Sequence, residues 1–156
     1  MSKEKAGIVP EKINLFSINI FKADLETSDA YLDNPQKSKS FEFNLAHNFA
    51  HNYDLNRSRY RLFFLLKALD ETGQPLGVKV EYGIEFQFEV ENFKDHVKKS
   101  KDKLEIDIHL AATLYTLSYS TARGIIYDRT RGTFFNGAIL PVIDPYKALV
   151  EDKNMN

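Results

Sequence analysis

The chain has 156 residues, a net charge of −1, and 13% aromatic residues made up of 12 Phe and 8 Tyr without a Trp. That length sets a single domain as the expectation, and the near-neutral balance gives no global electrostatic pull toward nucleic acid or an anionic membrane. The absence of Cys excludes disulfides, thiolate nucleophiles and Cys-ligated zinc together.

No apolar run reaches the length of a bilayer span. The charged start MSKEKAGIVP has no apolar segment behind it, so no signal peptide is visible. The expectation is a soluble cytoplasmic protein without direct membrane insertion. It would have a loose N-terminus at 1–10, one domain at 11–150 and a short polar tail at 151–156.

In chain order, four strand patterns come first. KINLFSINIFKADLE, residues 12–26, carries apolar residues on both parities. FEFNLAHNFAHNY, residues 41–53, alternates for thirteen residues. Phe41, Phe43, Leu45, His47, Phe49, His51 and Tyr53 share one parity, the pattern of a half-buried strand. RYRLFFLLKAL, residues 59–69, is apolar on both faces and reads as central. DETGQP then turns the chain at Gly73 and Pro75. VKVEYGIEFQFEV, residues 78–90, again has period two and completes an antiparallel hairpin with its predecessor.

A lysine-rich link, KDHVKKSKDK, separates these strands from a helix. Asp102 and Glu105 form a D-x-x-E start signal similar to a capping box. Ile108, Ala111, Ala112, Tyr115, Tyr119, Ala122, Ile125 and Ile126 recur at helical spacing, so a helix is predicted over 104–129. Gly132, Gly137, Pro141 and Pro145 forbid its continuation. Residues 129–143 are nonetheless greasy, with Phe134, Phe135, Ile139, Leu140, Val142 and Ile143. Asp144 should cap a last short helix with Pro145 in its first turn.

Element lengths bear on assembly. A thirteen-residue strand is about 43 Å long and the predicted helix about 39 Å. A compact domain of this size is itself only about 40 Å across. Four strands make a sheet about 19 Å wide, of which one helix about 10 Å wide covers half. The apolar strip left over exceeds what a monomer normally exposes. Oligomerisation, an apolar ligand, or both are implied.

Several constellations favour ordinary structural roles. His47 and His51 on a strand lie about 13 Å apart, too far to share a metal. Arg57, Arg59 and Arg61 beside Tyr53 and Tyr60 suit a single-stranded nucleic acid, but with a net charge of −1 a solvated edge is the better reading. Glu81, Glu85, Glu89 and Glu91 form an acidic ladder with no basic or histidine partner visible in the sequence, a surface able to dock a basic partner. No phosphate loop, G-x-S-x-G elbow or H-E-x-x-H pair is present. No enzyme, cofactor or metal is expected.

The stretch TARGIIYDRTRGTFFNGAILPV resembles the C-terminal core of SecB, the bacterial protein-export chaperone. The matching features are the A-R pair at Ala122 and Arg123, R-G-T-F at Arg131 to Phe134, and P-V at Pro141 and Val142. Ala148 and Leu149 match the start of the last helix. Val80, Gly83 and Phe86 match the family's V-x-x-G-x-x-F strand, and IFKADLE matches the end of its first strand.

The resemblance implies an α+β fold: a four-stranded antiparallel sheet, a long helix, an apolar extended ribbon and a short C-terminal helix. It also implies a homotetramer built as a dimer of dimers, which holds unfolded preproteins without ATP and passes them to the SecA motor. The ribbon would wall an apolar groove for client polypeptides, with Phe21, Tyr31, Phe135, Ile139 and Leu140 as groove residues. Phe134 and Phe135 are adjacent, so they point to opposite sides of an extended chain. Phe134, the R-G-T-F phenylalanine, becomes the anchor. SecA docking would fall to Asp24, Glu26 and Glu81. Lys79 stands where the family has an acidic residue, Gly77 replaces its apolar neighbour, and only EDKNMN follows the last helix.

A SecB-like chaperone for another client, such as an antitoxin, stays open. So do a sheet-plus-helix pocket for a small molecule or lipid, and a plain oligomeric assembly subunit.

Overall fold

The computed structural model describes residues 6–153, with side chains to 151; the expectations for residues 1–5 and 154–156 lie outside it. All four strands expected from the sequence are present: β1 (Ile13–Thr27), β2 (Ser40–Asn52), β3 (Arg57–Leu69) and β4 (Pro75–Val90). They form one antiparallel sheet in the order β1-β4-β3-β2. Strict alternation fixes the register, because a one-residue slip would turn every core side chain to solvent. Even-numbered residues of β3 and β4, from Tyr60 to Leu66 and from Val78 to Val90, are buried on the inner face. The β3–β4 turn is tied by Asp70, whose Oδ1 accepts from the Thr72 and Gln74 amides at 2.7 and 2.9 Å.

Between the first two strands lies a helix the sequence pattern did not reveal, α1 (Asp29–Asp33). Ser28 caps it, accepting from the Tyr31 amide. Gly77 makes room for this start. Its φ is +84°, and a Cβ there would sit 2.2 Å from Ser28 Oγ. The Ser28 amide also donates to the Gly77 carbonyl at 2.8 Å.

The lysine-rich link is not a plain connection. A 3-10 turn at Phe93–His96 leads into a small hairpin of β5 (Val97–Lys99) and β6 (Leu104–Ile106), in which Val97 pairs with Ile106. The expected capping signal at Asp102 and Glu105 is therefore displaced, because this hairpin occupies the segment. The long helix α2 (Ile108–Thr130) starts at Asp107, whose side chain accepts from the His109 amide. The helix buries Leu110, Leu114, Tyr115, Ser118, Tyr119, Ala122 and Ile126 against the inner face. Spacings of three and four keep these residues on one stripe. The last helix is α3 (Pro145–Lys153), capped by Asp144 Oδ1, which accepts from the Tyr146 and Lys147 amides. Among the described residues no helix is long and apolar enough to cross a membrane.

At twenty-three residues, α2 is about 34 Å long. It packs on the central strands β3 and β4 and leaves both flanks of the sheet partly bare. On β1, the inner-face residues Ile18 and Leu25 stay 43% and 46% exposed. On β2, the odd-numbered residues are only half-buried.

Candidate functional site

On the β2 flank the incomplete cover becomes a groove. Its floor is the inner face of β2, with Phe43, Leu45 and His47; one wall is Tyr115 of α2, and the other is Ile143 with Ala148 of α3. The open volume is about 760 Å³, with Asp144, Lys147 and Glu151 at its margin. A narrower cleft of about 120 Å³ lies between α2 and the ribbon, bordered by Tyr119, Arg123, Val142 and Pro145. The floor is stiffened by rings. His47 stacks on Phe49 at 4.5 Å and meets the edge of Tyr115 at 5.5 Å, and Tyr115 Oη lies 3.3 Å from His47 Nδ1.

The ribbon, residues 131–143, has no strand partner. Side chains of α2 hold its backbone instead. The Tyr119 hydroxyl donates to the Pro141 carbonyl. Arg123 Nε donates to the Leu140 carbonyl at 3.1 Å. The Ala138 amide donates to Thr130 Oγ1 at 2.7 Å, and that hydroxyl in turn donates to the Ile126 carbonyl. Three contacts of this kind satisfy backbone groups that a sheet would otherwise pair.

The expected groove residues do not converge. Tyr31 is 5% exposed, and its hydroxyl donates to the Gln36 carbonyl at 3.0 Å. Leu140 is 1% exposed. Both are packing residues, corrected from their groove assignment: Tyr31 turns in from α1 onto Ala68 and Val78, and Leu140 lies in the main core beneath α2. Phe21 lies on the other face of the sheet. Its ring rests on Gly83, where a Cβ would come within 2.4 Å of it, and it meets Phe63 edge-on at 5.5 Å. Ile139 is 68% exposed on the ribbon.

The two phenylalanines also differ from their assignment. Phe135 packs against both core clusters and meets Phe41 at 6.4 Å. Phe134, cast as anchor, remains 44% exposed with one edge contact to Tyr31 at 4.9 Å. Sequence reasoning missed Phe43, Leu45, Tyr115 and Ile143 as groove lining. The alternation of β2 and the stripe of α2 carried the signal, but periodicity tells a core residue from a solvent-facing one and does not show which core-facing residues lack a cover.

The outer face carries charges in matched pairs. Arg61 Nε binds Glu85 Oε2 at 2.7 Å, and Arg57 meets Glu89 at 3.4 Å. Glu85 and Glu89 of the acidic ladder thus have basic partners that were invisible in sequence, supplied by the neighbouring strand β3. Burial pushes the Glu85 carboxyl up. Hydrogen bonds from Arg61 and Gln87 and the charges of Arg61 and Arg59 outweigh that and hold it below its ordinary value. Asp24, Glu26 and Glu81 do come together, with Asp24 opposite Glu81 in the β1–β4 register. Yet Glu81 is paired with Lys22 and Lys79, and Glu26 with Lys79 at 3.2 Å. The hydrogen bond from Lys22 is the leading reason that the Glu81 carboxyl is held below its usual range.

His51 Nδ1 bonds Ser58 Oγ at 2.8 Å, and burial lowers its pKa. Among the described residues no group of three or more His, Asp or Glu side chains is placed to hold a metal ion.

Neither family models nor curated protein sequences match the chain. Solved structures do. A SecB-like chaperone of Mycobacterium tuberculosis, in complex with a ChAD peptide from the HigA1 antitoxin, superimposes over 86% of this chain and 92% of its own, with a TM-score of 0.59 and 12% identity. A protein of unknown function from Streptococcus agalactiae matches over 83% of this chain and 97% of its own, with a TM-score of 0.36 and 12% identity. The first likeness establishes the fold: an α+β, SecB-like arrangement of a four-stranded antiparallel sheet followed by helices.

Proposed function

We propose, from this SecB-like fold, that the protein is an ATP-independent holdase that binds unfolded polypeptide segments in the groove beside β2. The observation that carries the reading is the groove itself. It is open, about 760 Å³ in volume, floored by Phe43, Leu45 and His47, and walled by a helix and a ribbon whose backbone is clamped. Aromatic and aliphatic walls give contact area without demanding one sequence. An open trough takes an extended chain better than a small molecule, which favours enclosure.

The partly bare inner face of β1 supports a homo-oligomer, with a tetramer as the expected state. The likeness to a chaperone in complex with an antitoxin peptide supports a polypeptide client. Among clients, one such as an antitoxin fits better than a preprotein bound for SecA. Two of the three acidic residues that would dock SecA, Glu26 and Glu81, are already paired with Lys22 and Lys79, and a largely matched surface steers a charged partner weakly.

The test is aggregation suppression. An unfolded model client is diluted into buffer with the protein and without nucleotide. The reading expects light scattering to be suppressed near stoichiometric ratios. Leu45→Asp, which places a charge on the groove floor, should abolish that suppression in a folded oligomer. Full suppression by this variant would remove the groove from the mechanism.

A further inference from the structure

The β5–β6 hairpin is the part of the molecule that the proposed holdase role leaves unused. Residues 94–106, through the end of β6, hold five lysines against Asp95, Asp102 and Glu105, a local charge of +2 in a chain of net −1, with Glu105 opposite Lys98 in the register. Lys94, Lys98, Lys99, Lys101 and Lys103 are all exposed. Among the described residues none of them has a carboxylate within ion-pair distance, whereas Lys22, Lys79, Arg57, Arg59 and Arg61 on the outer sheet face are all paired. Two of the lysines are also held in place. Lys99 and Lys94 both sit over the Tyr53 ring, at 4.8 and 5.2 Å. The Ser100 amide donates to the Lys103 carbonyl at 2.9 Å, closing the tip.

The hairpin also stands next to the groove. β6 runs through Asp107 straight into α2. In the first turn of α2, His109 Nδ1 meets the Tyr146 hydroxyl of α3 at 3.1 Å. The next two α3 residues, Lys147 and Ala148, line the groove. From the start of α2 to Tyr115 on the groove wall is about 10 Å, and the hairpin's three-residue strands reach about 10 Å further. An extended chain covers those distances with about three to six residues.

We infer that the hairpin is a second docking point for the client, one that receives an acidic cluster about three to six residues from the apolar segment seated in the groove. This inference rests on the proposed groove. The chemistry favours an acidic polypeptide over other anions. The cations are lysines, point charges without the arginine fork. The one ring among them is already covered, leaving none to stack a base. The tip, Ser100 to Lys103, carries no apolar residue to enter a membrane.

The test uses two labelled peptides with one apolar, aromatic core. One is flanked by glutamates at this spacing, the other by glutamines. Fluorescence anisotropy follows their binding to the wild type and to the triple variant K98Q/K101Q/K103Q, whose unchanged melting curve confirms folding. The wild type should bind the glutamate peptide about tenfold more tightly at low salt. High salt and the triple variant should each remove that advantage and leave the glutamine peptide unaffected. Equal binding of both peptides by the wild type, or a preference that survives in the variant, overturns the inference. So does equal competition by a single-stranded oligonucleotide, which would make the hairpin a general polyanion site. If the glutamine peptide fails to bind at all, the groove reading falls. The hairpin then stands only if the glutamate peptide alone still binds in a salt-sensitive manner lost in the variant.

Discussion

Truncating Phe135 to alanine should destabilise the protein more than truncating Phe134. A fully buried Phe→Ala change costs about 3–5 kcal/mol. Phe135 is half-buried, but it touches both hydrophobic clusters and Phe41, so about half that figure, roughly 2 kcal/mol, is expected. Phe134 is already 44% exposed. Its loss removes the edge contact to Tyr31 and a little burial, about 1 kcal/mol. For a domain of this size each kcal/mol moves the midpoint by about 2–4 °C. Phe135→Ala should therefore melt about 4–8 °C below the wild type, and Phe134→Ala about 2–4 °C below. Melting followed by circular dichroism, paired with the aggregation assay, separates the roles. Phe134→Ala should keep most of its stability and lose some holding capacity, since its ring is available to a client. A midpoint for Phe134→Ala as low as that of Phe135→Ala would refute the ribbon's orientation.

Gly77→Ala should cost about 1–3 kcal/mol, because alanine is strained at φ +84° and its Cβ would meet Ser28 Oγ; chemical denaturation with an unchanged slope measures it. Tyr119→Phe removes one hydrogen bond to the ribbon and should cost about 1 kcal/mol, with faster proteolysis between residues 131 and 143 than in the wild type. His51 is half-buried, and desolvation lowers its pKa from 6.5. The unfolded chain then binds a proton at a pH where the folded one does not, so stability should fall as pH drops below about 6.5 and level off once the folded histidine also titrates. His51→Asn should flatten that slope; an unchanged slope would assign the pH dependence elsewhere.

The sheet was legible because alternation over thirteen residues leaves one register that buries Phe41 to His51 together, and β2 and β4 follow it. The hairpin of β5 and β6 was not. Its six strand residues are too few for a period, and its lysines hide Val97 and Ile106, which pair across it. α1 escaped for a similar reason: five residues carry no stripe, and only Ser28 and the positive φ of Gly77 mark it. At the groove, chemistry was legible and location was not. The ribbon was read as extended throughout, whereas residues 131–137 turn and only the part beyond runs extended, and Tyr31 and Leu140, assigned to the groove, are buried. Burial of single residues in an irregular segment is set by tertiary contacts such as the hydrogen bond from Arg123 to the Leu140 carbonyl. The ion pairs of the outer face join residues 24 positions apart for Arg61–Glu85, 32 for Arg57–Glu89 and more still for Lys22–Glu81, beyond what local spacing reveals.

Because Tyr119, Arg123 and Thr130 grip the ribbon by its backbone, the path of the ribbon depends little on what its outward side chains are. Ile139 and Val142, 68% and 84% exposed, can change identity without unseating the wall they decorate. In the proposed holdase, binding preference and foldability would thereby be uncoupled at these positions. Substitutions there should cost little in folding, whereas a change at Arg123 would put the whole ribbon at risk. A library randomised at residues 139 and 142 is a natural starting point for selecting altered clients.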